Sequence, residues 1–207
     1  MSNLILIIGQ FKITPLYWGF LIAFIFSSFS MWRRLLKEDY FSEEIFTTNI
    51  LMILSAVFFE IVIWKLAGVR ILGAFFGSIL IVFWRFKAQN KNVWEGLDCL
   101  ALPILFFMFF GGLGSYVAEW QIQNLFYVIL ALFGFGLYFF FKKRYRRLTW
   151  YKSGKVGFLF CLIYLYCSLG LLVLDFWQKK GIYLPVILWA LLFTAGIVIF
   201  VNRAKRN

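Results

Sequence analysis

Four ionisable residues interrupt apolar stretches of this 207-residue sequence: Glu60, Arg70, Asp98 and Asp175. A charged side chain inside hydrocarbon is costly, so residues of this kind mark ion pairs, proton relays or substrate sites. Glu60 has Lys65 and Arg70 close by in sequence, and an ion pair would lower its cost. Asp98 follows Glu95 near the start of an apolar segment, where an acid meets a helix N-terminus favourably. Asp175 stands beside Trp177 and Lys179, a combination that also suits a membrane interface. The rest of the catalytic inventory is thin. The chain has no histidine, and hence no ordinary near-neutral general base. It has no Gly-x-Ser-x-Gly elbow, no metal-ligand spacing and no phosphate-binding glycine loop, so neither a metal nor another cofactor is expected. Cys99, Cys161 and Cys167 each lie in an apolar run. The last two are about 240° apart around a helix, too far to pair, and all three read as small apolar fillers.

Glycine is the other unusual feature. The stretch "FFMFFGGLGSYV" (106–117) places Gly111, Gly112 and Gly114 within four positions, followed by Ser115. Glycine costs roughly 1 kcal/mol against alanine inside a helix. Such a cluster calls either for another backbone in close contact or for a functional turn. Gly73-x-x-x-Gly77 and Gly111-x-x-x-Ser115 fit the small-xxx-small pattern of tight helix packing.

The elements that position these residues follow from composition. The chain is 63% hydrophobic and only 14% charged, with a mean hydropathy of +0.87. Soluble domains are about a quarter charged, so no water-soluble surface could be built from it. Apolar runs of about 20 residues suit a bilayer. The expected fold is an all-α polytopic membrane helix bundle of one domain, 1–207. Its segments are near 15–32, 45–66, 67–86, 94–114, 124–141, 156–177 and 182–201. The second and third are joined by almost nothing ("KLAGVR"), which leaves open that one is a half-span or re-entrant. The N-terminus, "MSNLILIIGQFKI", lacks the basic start and cleavage site of a signal peptide and reads as a short lead-in at the membrane surface.

Charge orients the bundle. With the N-terminus outside and the C-terminus inside, 16 of the 21 Lys and Arg fall in inner stretches, among them "KKRYRRLTWYKSGK" (142–155). The bias alternates at every crossing, as the positive-inside rule requires. That rule also accounts for the net charge of +12, which makes anionic inner-leaflet lipid a better partner than nucleic acid.

The order of these features resembles prolipoprotein diacylglyceryl transferase. "PLYWGFLIAF…MWRR" (15–34) resembles the family's first span. "GVRILGAFFG" (68–77) stands where the family has a motif of the type G-L-S-F-H-G-G-x-x-G, with Gly68, Gly73 and Gly77 on its glycines. "WEGLDCLALP" (94–103) matches an Asp-x-x-Ala segment, and "GGLGSY" (111–116) matches the signature G-R-[IL]-G-N-F. "YCSLGLLVLDF" (166–176) and "LPVILWALLFTAGIVIFV" (184–201) are similar to the last two segments. The family's outer domain between the fourth and fifth spans is reduced to "SYVAEWQIQN".

The resemblance implies a multi-pass protein of the bacterial cytoplasmic membrane. The implied reaction transfers diacylglyceryl from phosphatidylglycerol to a lipobox cysteine, with a prolipoprotein signal peptide as second partner. It implies a lipid site at Arg70, Gly73, Asp98, Gly111, Gly112, Gly114 and Ser115, with the glycines of 111–114 as remains of a lipid-site turn. The catalytic positions depart from the family. Leu72 stands for the motif histidine, Gly112 for the signature arginine, Ser115 for the asparagine, Trp18 for a tyrosine, and Val57 and Leu171 for arginines. Glu60, Arg70 and Asp175 are the residues left that could serve as base, phosphate contact and accompanying acid. Losing one charge-stabilising donor costs on the order of 10²–10³ in rate. Three readings therefore compete: a rearranged transferase, an inactive relative that binds lipid or lipoprotein, and an unrelated small carrier.

Overall fold

A computed structural model describes residues 6–8, 11–38, 40–67, 72–145, 156–179 and 184–205. Among these, seven α-helices follow a short antiparallel ribbon of β1 (Leu6–Ile8) and β2 (Phe11–Ile13), with Ile7 opposite Lys12. The helices are α1 (Pro15–Leu35), α2 (Ser42–Ala67), α3 (Leu72–Ala88), α4 (Val93–Glu119), α5 (Ile122–Arg144), α6 (Phe158–Lys179) and α7 (Leu184–Lys205). The bundle is all-α apart from the ribbon. Its isoleucines and phenylalanine favour extended pairing, and the run is too short for a stable helix.

Six helices are long and apolar enough to cross a membrane; α3 is not among them. With 17 residues it is about 26 Å long, a little under the thickness of a hydrocarbon core. It runs antiparallel to α2, with Gly73 against Phe59 and Glu60 and Gly77 against Ser55. Gly73 lies about seven residues below the end of α2 at Ala67, and α3 is described from Leu72. Its other end reaches the same level as the start of α2, where Lys91 pairs with Glu44.

Local signals explain the boundaries. Pro15 opens α1 after the extended Thr14, since its missing N–H would be unpaired there anyway. Asn92 caps α4 by accepting from the Trp94 amide at 3.1 Å. Basic residues close α1, α3, α5 and α7: Arg33 and Arg34, Arg85 and Lys87, Lys142 to Arg144, and Arg203 and Lys205. They meet the negative ends of the helix dipoles. Those ends lie with the starts of α2, α4 and α6, so the bundle has one basic end.

Lipid is as apolar as leucine, so close packing and interhelical hydrogen bonds hold the helices together. The most buried pair is α4 and α6, and α4 contributes to both cores. One core gathers Leu105, Tyr138, Ile163 and Trp189; the other gathers Met31, Ile45, Val82, Phe86 and Leu100. The buried stripe of α1 is Gly19, Ala23, Ser27, Met31 and Leu35, one residue every four, turned to α4. Tyr164 donates to the Leu192 carbonyl at 3.1 Å and Tyr166 to that of Leu130 at 2.8 Å, tying α6 to α7 and α5.

Candidate functional site

The densest polar arrangement among the described residues sits at the basic end, around Asp98. Its carboxylate is 1% exposed. It accepts from the Gly157 amide at 2.9 Å and the Phe160 amide at 2.8 Å, the unpaired donors at the start of α6. Arg34 on α1 adds an ion pair at 3.3 Å and donates through its other guanidinium nitrogen to the Asp98 carbonyl at 2.9 Å. Gly157 has φ +87°, a backbone that side chains rarely adopt, and a Cβ there would lie 2.7 Å from the Trp94 ring. Arg203 on α7 stacks 3.9 Å over Trp94 and donates to the Val156 carbonyl at 2.6 Å. Four helices meet at one carboxylate and its neighbours.

A second group lies beside it. Tyr40 donates to Glu95 at 3.0 Å, and Lys91 sits 4.2 Å over the Tyr40 ring while pairing with Glu44. Burial first, and then donation to Glu95, push the Tyr40 phenol well above its ordinary pKa, so it stays a neutral donor. These contacts fasten the α1–α2 connection to the α3–α4 connection.

From sequence, Asp98 is expected to serve the start of its own helix or a lipid site. It serves the start of α6 instead, because its position six residues into α4 aims it at a neighbour. Two amides and a guanidinium occupy three of the carboxylate's roughly four acceptor positions, and at 1% exposure it is closed to solvent. Arg34, Gly157 and Arg203 are the partners that sequence reasoning misses. In sequence Arg34 and Arg203 register only as inner charge, and the glycine carries no signal beyond its type.

Glu60 has a comparable task at the other end. Its Oε2 accepts from the Ala74 amide at 3.0 Å, in the first turn of α3. That turn lies below the tip of α2, where a bare helix start would be costly. Gly73 allows the approach, since a Cβ there would lie 2.2 Å from the Phe59 carbonyl oxygen. Ser55 donates to the Gly77 carbonyl at 3.1 Å, completing the α2–α3 seam. Arg70 and Gly68 lie outside the described residues. Asp175 is half-buried on α6, which packs on α4, α5 and α7, whereas α2 packs on α1 and α3.

The expected glycine turn at 111–114 is absent: α4 continues unbroken to Glu119. Gly114 meets Pro15 and Leu16 on α1, with Gly19 opposite, and a Cβ at Gly19 would lie 2.3 Å from the Phe110 carbonyl oxygen. Gly112 faces Tyr127 and Asn124 on α5, and Gly111 faces the Phe20 ring. Close helix approach is the reason for Gly112 and Gly114, and Gly111 leaves room for the Phe20 ring. Ser115 lies in the same continuous helix. Between α3, α4 and α6 the interior is filled by Leu72, Phe75, Leu105 and Tyr164, with the Phe75 and Tyr164 rings 5.3 Å apart. Cys99, Cys161 and Cys167 are buried free thiols.

No family model and no curated protein matches the chain.

Proposed function

We propose that this chain is a catalytically inactive, lipid-binding membrane bundle built on the plan of the diacylglyceryl transferases. One observation carries the reading: Asp98 and Glu60 are both engaged with backbone amides at helix starts. A general base needs a lone pair within reach of the proton it takes, whereas Asp98 is 1% exposed with both oxygens in hydrogen bonds and Glu60 spends an oxygen on the start of α3. The glycines matched to the family signature lie under other helices and leave no cradle for a phosphate.

Lipid binding is supported by the chemistry of the basic end. Arg33, Lys37, Lys87, Lys142, Lys143 and Arg144 are exposed there beside the exposed rings of Trp32, Phe139 and Phe140. Exposed cations next to interfacial aromatics suit an anionic phospholipid such as phosphatidylglycerol. A prolipoprotein signal peptide is the second partner this plan implies, and the bacterial cytoplasmic membrane its location.

The test is reconstitution in phosphatidylglycerol vesicles with a lipobox peptide, set against an intact transferase. The reading expects no glycerol phosphate above a no-protein blank, and phospholipid retained by the folded protein. Release of glycerol phosphate would overturn it.

A further inference from the structure

The exposed cations of the basic end are not evenly spread. Lys142 on α5 comes under the like charges of Arg34, Lys37 and Arg33, from the end of α1 and just beyond it. Arg33, Lys37 and Lys142 are all exposed, so a ligand can reach them. Asp98 is already taken by Arg34. Among the described residues, Arg33, Lys37, Lys142 and the neighbouring Glu38 form no ion pair. Set against Glu38, the three cations leave two positive charges over. Like charges gathered without a counterion repel, so the cluster calls for an anion.

Depth narrows the choice of anion. α5 leaves the membrane at this end, yet Lys142 reaches back over the Tyr138 ring, 5.5 Å from its centre, and Arg144 over that of Phe140 at 4.1 Å. Each ring is four residues, about 6 Å, deeper along the helix than its cation. These charges are thereby held at the level of lipid phosphates instead of stretching into water. Below them, α1 and α5 flank α4 along a seam of rings. Phe106 of α4 lies 5.6 Å from Phe26 on α1 and 5.2 Å from Phe135 on α5. Phe26 is eight residues from Arg34 and Phe135 seven from Lys142. The seam is thus about 10–12 Å under the charges, at the depth of acyl chains. Phe26 is exposed and Phe106 only partly buried, so the seam opens to lipid. A second copy of the chain would bring its own basic end to the same level and be repelled.

We infer that the α1–α5 seam holds one phospholipid with two phosphates, of the cardiolipin class. Its phosphates pair with Arg33, Lys37 and Lys142, and its acyl chains lie over Phe26 and Phe106. Charge complementarity carries the choice, since two surplus positive charges match two phosphates. Basic sites between transmembrane helices at the inner face suit such headgroups. Joining the phosphates makes the second contact intramolecular, an advantage two separate phosphatidylglycerols lack. The inference rests on the lipid-binding part of the proposed function and narrows it to one site and one lipid class.

The test titrates delipidated protein in detergent with cardiolipin, phosphatidylglycerol or phosphatidylcholine and counts bound lipid by native mass spectrometry. A single cardiolipin is expected to bind roughly tenfold tighter, per phosphate, than phosphatidylglycerol. Lys142→Gln is expected to remove most of that preference. Lys205→Gln, which loses the same charge at the same end on α7, is expected to keep it. Both lysines are exposed, so neither variant threatens the fold. Phosphatidylglycerol binding as tightly as cardiolipin, or equal losses in the two variants, would overturn the two-phosphate site and leave the general lipid-binding reading standing. Binding of none of the three lipids would overturn both.

Discussion

Arg34 holds Asp98 twice, through Nη1 on its main-chain carbonyl at 2.9 Å and through Nη2 on its carboxylate at 3.3 Å. The first and fourth helices are thereby locked in register at the same end where Asp98 also begins the sixth. This pair is the polar counterpart of the contact between Gly19 and Gly114 at the far end of the same two helices. Together they fix α1 along α4 from one membrane face to the other.

Removing one partner strands the other. Asp98→Ala leaves two helix-start amides unpaired and Arg34, a quarter exposed, with only the main-chain carbonyl, and is expected to cost roughly 3–5 kcal/mol. Asp98→Asn keeps one acceptor and should lose less. The double variant Arg34→Met/Asp98→Leu should be more stable than Asp98→Ala. Thermal unfolding in detergent checks all three, and an unaltered melting temperature for Asp98→Ala would refute the role.

Two glycines on neighbouring surfaces should answer oppositely to alanine. At Gly19 the new methyl group meets the Phe110 backbone, which cannot rotate away, so the helices must part at roughly 1–3 kcal/mol. At Gly136 nothing lies within 4 Å, and alanine should be neutral or mildly stabilising. Equal melting temperatures for the two variants would show that close approach is not what Gly19 is for.

The spans are legible in the sequence because a bilayer leaves little choice. Apolar length and the alternation of Lys and Arg encode crossings directly, and all seven segments reappear as helices. The ends of α3 are not legible. Its start depends on Glu60, a residue of the preceding helix that no local pattern ties to position 72. The glycines show the same limit more sharply. Three of them in four positions read equally as a turn or as a packing face, and only the partner decides. The deciding signal is present on α1, where Gly19, Ala23 and Ser27 form a small-residue stripe at a spacing of four.

Gly157 should tolerate no side chain. Its φ of +87° opposes even alanine, and so does the Trp94 ring, 2.7 Å from where the added methyl group would lie. Gly157→Ala is expected to lower stability by about 1–3 kcal/mol and to loosen the start of α6. Hydrogen exchange at the Phe160 amide reports this directly, and unchanged protection there would contradict it.

Glu60 separates a cap from a base. As the acceptor for the Ala74 amide, Glu60→Gln keeps a carbonyl oxygen and should be mild, whereas Glu60→Ala should cost about 1 kcal/mol or more. Thermal melts of the pair distinguish the two roles, because a base would show itself in turnover and not in this ranking. Equal destabilisation by both substitutions would argue against capping.

The central claim is that the Asp98 and Glu60 carboxylates organise helices and catalyse nothing. Its most direct test is glycerol phosphate release by the purified protein in phosphatidylglycerol vesicles with a lipobox peptide, run beside Glu60→Gln. The account predicts that the wild-type protein and the variant both stay at the no-protein blank while remaining folded. Release by the wild-type protein that Glu60→Gln abolishes would contradict it.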